Sequence, residues 1–139
     1  MLKRPNVLLI EGNEAEEKLA QQAIANSQIG CDVRVARDGV EACRILFESD
    51  DPAPTLVLLE LDSPNIDGFD LIAKIREQEK TKRLPVIVYS ASGNEADVKR
   101  CLDLHANSFV QKDDDPECYE TRLKLLLYYW IAVNRNVNT

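Results

Sequence analysis

Two glutamates, a serine and a lysine stand at the ends of apolar runs in this chain. Glu11 closes VLLIE, Glu60 follows LVLL within TLVLLELDSPNIDGFD, Ser90 closes PVIVYS and Lys112 follows SFVQ. A carboxylate at the end of a buried strand is a chemical position. If the runs are parallel strands, their carboxyl ends open on one crevice, where two carboxylates, a hydroxyl and an ammonium would converge. A hard divalent cation such as Mg²⁺ takes oxygen ligands, usually one or two carboxylates with waters and phosphate oxygens. A lysine and a hydroxyl beside it suit the equatorial oxygens of a phosphoryl group. These residues point to a phosphoryl or anion site.

The elements that must hold them can be read from periodicity. Residues 7–10, 31–36, 56–61, 85–90 and 108–111 read as strands, the third apolar on both faces as a central strand must be. Asn13 caps a first helix with Glu14, Glu16 and Glu17 in its first turn, and Gly30 closes that region. Asp38 caps a second helix carrying Val40, Cys43, Leu46 and Phe47. Helices follow over 68–79, 94–105 and 116–133, the last opened by Pro116. Five β-α units in succession predict a five-stranded parallel sheet with helices on both faces and a long final helix. One domain fills residues 1–139, with a core over about 6–133 and a frayed tail at 134–139.

The composition narrows the class. A net charge of −7 argues against nucleic-acid binding, which needs a basic face. No apolar run reaches the roughly 18–20 residues of a membrane span, and the N-terminal run is too short for a signal peptide. A cytoplasmic protein is expected. Its four cysteines, at 31, 43, 101 and 118, lack zinc-ligand spacing and read as buried, reduced thiols.

In this arrangement the chain resembles the receiver domain of two-component response regulators, which has a flavodoxin-like (βα)5 fold. VLLIEGNE is similar to that family's first strand and acidic pair. LELDSPNIDGFDLIAKIR resembles its phosphorylation strand and following loop, with a proline four residues past the phosphoacceptor. PVIVYSAS resembles its fourth strand with the switch hydroxyl, and ANSFVQK its fifth strand with the switch aromatic and the lysine. The last helix, TRLKLLLYYWIAVN, and the absence of room for an output domain resemble the small regulators that accompany phytochromes.

Position by position, the resemblance implies that Glu11 is the first acid of a metal pair, while Gly12 stands where the second should be. Glu60 replaces the phosphoacceptor aspartate. Asp62 lies where a backbone carbonyl reaches the metal. Ser90, Phe109 and Lys112 match the switch hydroxyl, the switch aromatic and the conserved lysine. Asp113 replaces the proline that follows that lysine, so a trans bond is expected there, since a non-proline cis bond costs about 2.5–4 kcal/mol. His105 replaces a glycine, so a left-handed helix end is expected.

The departures change the chemistry. Without an acid at Gly12 the metal site is degenerate, and Mg²⁺ binds weakly if at all. One extra methylene in Glu60 moves its carboxylate outward by about 1.5 Å, a full C–C bond. From there it is expected to pair with Lys112, accept from Ser90 and imitate the phosphorylated state. Exchanging both residues, Gly12→Asp with Glu60→Asp, should restore phosphorylation if those are the only faults. The expectation is a non-enzymatic pseudo-receiver that works by binding. An alternative keeps a slow phosphorelay through Glu60 or Asp62. A third reading, a flavodoxin-like enzyme or nucleotide binder, lacks a glycine-rich loop in EGNEAEE. Partners implied are a sensor histidine kinase or phytochrome-type kinase, or a downstream protein. Leu123, Leu125, Leu126, Leu127, Tyr128, Tyr129, Trp130, Ile131 and Val133 nearly encircle the last helix, so some must point away from the core; Leu126, Tyr128, Tyr129, Trp130 and Ile131 are the candidates for a homodimer or partner contact there.

Overall fold

The run Leu56–Leu59 has no hydrophilic face: all four side chains are essentially inaccessible. Such a strand needs apolar cover on both sides, worth about 1.5–3 kcal/mol per fully buried leucine. In the computed structural model, which describes residues 4–136, this is β3 at the middle of a parallel sheet ordered β2-β1-β3-β4-β5. The other strands are β1 (Asn6–Ile10), β2 (Asp32–Ala36), β4 (Val86–Ser90) and β5 (Ser108–Gln111). Alternation along β3 divides the core. Leu56 and Leu58 face Ala20, Ala23, Ile24, Leu123 and Leu127, while Val57 and Leu59 face Leu46, Leu71, Ile72, Ile75 and Cys101. Helices α1 (Glu14–Asn26) and α5 (Pro116–Leu127) therefore cover one face. Helices α2 (Gly39–Cys43), α3 (Gly68–Glu77) and α4 (Glu95–Asp103) cover the other. This is the expected flavodoxin-like architecture.

Local chemistry sets the helix starts. Asn13, Asp38, Asp67 and Asn94 each accept a hydrogen bond from a first-turn N–H. Several ends differ from the sequence expectation. Strand β3 is shorter than expected and stops at Leu59: Glu60 keeps one ladder bond, from its N–H to the Ile10 carbonyl, and Leu61 turns into the loop. Helix α1 stops at Asn26, and the left-handed residue after it is Gln28 (φ 62°), not Gly30. His105 does take the left-handed conformation (φ 71°), and its carbonyl accepts from Arg76, which also bonds the carbonyls of Lys82 and Leu84. Every described peptide bond is trans, including that after Lys112.

The final helix is not one uniform helix. After Leu127 it widens into a π-helical segment, Tyr128–Val133. A second π-helical segment, Arg44–Glu48, extends α2. Leu126, placed among the interface candidates above, is instead buried, because Leu123, Leu126 and Leu127 share the face that meets the sheet. Trp130 and Ile131 are partly buried against the same core, while Tyr128 and Tyr129 are exposed. The cysteines also depart from expectation. All are free thiols, but only Cys101 is buried; Cys31 and Cys43 are half-buried and Cys118 is exposed. Of the tail, residues 137–139 lie outside the described residues, as do residues 1–3 of the basic N-terminus.

Candidate functional site

The strand order reverses between β1 and β3, and the crevice beyond their carboxyl ends is where the functional side chains meet. The ladder runs one residue past each strand to fix them. Glu11 N–H donates to the Ala36 carbonyl, Glu60 N–H to Ile10 and Lys112 N–H to Ser90, at 3.0, 3.0 and 2.7 Å. Three side chains are thus launched from the ends of β1, β3 and β5 into one space.

Lys112 is the centre. Its Nζ lies 2.5 Å from Glu60 Oε2, 3.1 Å from Glu16 Oε2 and 3.3 Å from Glu11 Oε1. An ammonium has three N–H donors, and here each has a carboxylate. The Lys112, Glu60 and Glu11 side chains are 8%, 9% and 3% exposed, so water screens these pairs little. Burial alone would lower the Lys112 pKa, but the hydrogen bond and charge of Glu60, with Glu11 and Glu16, hold it well above the usual lysine range. The ammonium also sits 5.6 Å over the Tyr89 ring.

The remaining carboxylate oxygens are taken as well. Glu60 Oε1 accepts the N–H of Asp62 at 3.0 Å. Glu11 Oε2 accepts the Ser63 hydroxyl at 2.6 Å and the Asn13 N–H at 3.2 Å. Gly12 donates its N–H to Ser63 Oγ at 3.0 Å. Contrary to the expectation that Glu60 accepts from it, the Ser90 hydroxyl donates to Asp62 Oδ2 at 2.7 Å. The chain bends back after Glu60, which brings the Asp62 carboxylate to the hydroxyl. Phe109 is partly buried against the α3–α4 side of the core.

Beneath the lysine, Tyr89 donates its hydroxyl to the Tyr119 carbonyl at 3.2 Å, and the two rings lie 5.6 Å apart. Burial pushes the Tyr119 phenol up to about 12 and raises Tyr89 too. The site therefore rests directly on α5. Sequence reasoning missed Ser63 and Glu16. Glu16 reads as an ordinary first-turn acid, and its only signal is that α1 starts three residues after Glu11. Ser63 lies in a loop whose path depends on Asn65 at φ 64°.

The response regulator receiver domain model matches residues 7–124. The response regulator Rcp1 of Synechocystis sp. is 34% identical over 110 residues, 76% of this chain and 75% of that protein. The phosphorylated cyanobacterial phytochrome response regulator RcpA superimposes with a TM-score of 0.89 at 32% identity, covering 96% of this chain and 99% of that one. The Mn²⁺-bound form of Rcp1 gives a TM-score of 0.87 at 28% identity, with coverage of 96% and 99%. With the strand order and the Glu11, Glu60, Ser90 and Lys112 cluster, these likenesses make the chain a member of the response regulator receiver domain family of two-component signalling, related to the phytochrome response regulators.

Proposed function

We propose that this chain is an atypical receiver that signals by binding and does not accept phosphate. The observation that carries this reading is the Lys112 ammonium held 2.5 Å from Glu60 and 3.3 Å from Glu11. In the family pattern that lysine is expected to meet the phosphoryl group. Here a glutamate already occupies it and imitates the phosphorylated state in part, since a carboxylate carries about −1 and phosphate about −1.5 to −2. The Ser90 hydroxyl, engaged by Asp62, is not free to turn toward an incoming group.

The divalent cation that the family pattern implies does not fit the donor set. Glu11 and Glu60 spend their oxygens on Lys112, Ser63 and loop N–H groups, and Gly12 offers no ligand. Among the described residues no three His, Cys, Asp or Glu side chains form a group that could hold a metal ion. The ammonium supplies the positive charge that a cation would otherwise bring, so the protein works without Mg²⁺.

A sensor histidine kinase of the phytochrome type, or a downstream protein, is the partner class that the relatives support, and such a partner implies work in the cytoplasm. No described helix is long and apolar enough to cross a membrane. A second copy docks through α5 and its π-helical extension. Leu125, Tyr128, Tyr129 and Val133 are 62%, 57%, 49% and 55% exposed and follow one another at helical spacing. A stripe of that kind marks an interaction surface, and tyrosine favours such surfaces. The test of the central reading is incubation with a small phosphodonor and Mg²⁺, followed by intact-mass measurement. An unchanged mass is expected; stoichiometric addition of one phosphoryl group at Glu60 or Asp62 would defeat it.

A further inference from the structure

Gly12 stands where the family's second acid would be, and the space beside it is not open. A Cβ built on Gly12 would lie 2.9 Å from the Pro64 carbonyl oxygen and 3.2 Å from that of Arg37. Both are backbone atoms, which cannot swing aside as a side-chain tip can. Each is also held. The Arg37 guanidinium forks the buried Glu17 carboxylate at 2.8 and 3.1 Å, and the backbone N–H of Arg37 donates to the Glu41 carboxylate. On the other side Ser63 is buried, donating to Glu11 at 2.6 Å and accepting from Gly12 at 3.0 Å. Past Pro64, the Asn65 carbonyl accepts the N–H of Gly39.

We infer that the loop between β3 and α3 has closed over position 12, with Ser63 as the residue that fastens it. The second acid has not simply been lost. Pro64 fills the room its side chain would need, and the Ser63 hydroxyl holds the Glu11 oxygen that is not on Lys112. The absence of a side chain at Gly12 is therefore required by the closed loop. This deepens the metal-independent reading of the same site and adds a third obstacle to the two visible in the sequence. Exchanging Gly12→Asp with Glu60→Asp does not by itself restore phosphorylation, because the loop must also open.

Gly12→Ala tests the closure by the sign of its effect. No described glycine has a positive φ, so the Gly12 backbone suits alanine. In open space Gly→Ala at such a position stabilises, by narrowing the unfolded chain. The closed loop reverses that, and Tm should fall by roughly 3–6 °C. An equal or higher Tm overturns the inference. The wild-type protein gives a second readout that needs no variant. The Gly12 N–H, bonded to a buried hydroxyl, should resist hydrogen exchange with or without Mg²⁺, and exchange at the rate of a free loop overturns the inference. The two readings fail separately. Phosphoryl labelling of the wild type would defeat the binding-module reading and leave the Gly12→Ala result standing; a stabilised Gly12→Ala would defeat the closure and leave the Glu60–Lys112 pair intact.

Discussion

Lys112 is held by charges that could not remain buried without it. Glu60 and Glu11 are nearly inaccessible, so removing the ammonium leaves two carboxylates close together with little water to screen them. Breaking a buried pair in this way costs about 3–5 kcal/mol, so Lys112→Met should lower the unfolding free energy by that amount in a urea titration at neutral pH. A loss below about 1 kcal/mol, the range of a surface pair, would mean that the cluster is not the anchor described here. Glu16, with its side chain 41% exposed, belongs to that weaker class. The positions of Glu11, Glu60, Ser90 and Lys112 were legible because each follows an apolar run, and a parallel sheet brings such ends together. The Ser90 partner was not legible. It depends on the turn after Glu60, where the Asp62 N–H bonds back to Glu60 and its carboxylate reaches Ser90.

At the level of elements, α5 and its extension present two stripes. Leu123, Leu126 and Leu127 press on the sheet, and Leu125, Tyr128, Tyr129 and Val133 face outward. The apolar run of the last helix showed that it had more hydrophobic surface than one face needs. It did not show which residues lie inside, because the phase of a helix is set by its contacts, and the change to π-helical winding after Leu127 alters that phase. Leu126 lies before that change, and its place inside is fixed by contacts with the sheet that periodicity does not give. If the outward stripe pairs with a second copy, Tyr128→Glu with Tyr129→Glu should convert a dimer to a monomer in sedimentation velocity without lowering Tm. A wild-type protein that sediments as a monomer at high concentration would remove this contact from the account. The five-stranded parallel sheet with helices on both faces was legible in the β-α alternation, but the order β2-β1-β3-β4-β5 was not, because β1, β3 and β4 are all buried runs.

Three buried titratable groups beneath and within the crevice share one direction. Lys112, held protonated by its carboxylates, and the buried Tyr89 and Tyr119 all have raised pKa values, Tyr119 reaching about 12. Their unfolded values lie near 10. Above about pH 10 the unfolded chain therefore binds fewer protons than the folded one, and stability falls as pH rises. The urea midpoint should be steady with respect to these groups up to about pH 9 and then drop toward pH 12, less steeply in Lys112→Met; a flat profile would contradict the buried cluster. The most direct measurement is a crystal structure of the wild-type protein grown with Mn²⁺, located by its anomalous scattering. The account predicts Lys112 Nζ still bonded to Glu60 and Glu11, with no manganese peak in the crevice. A cation seated between Glu11 and the Asp62 carbonyl, with Glu60 turned away from the lysine, would contradict it.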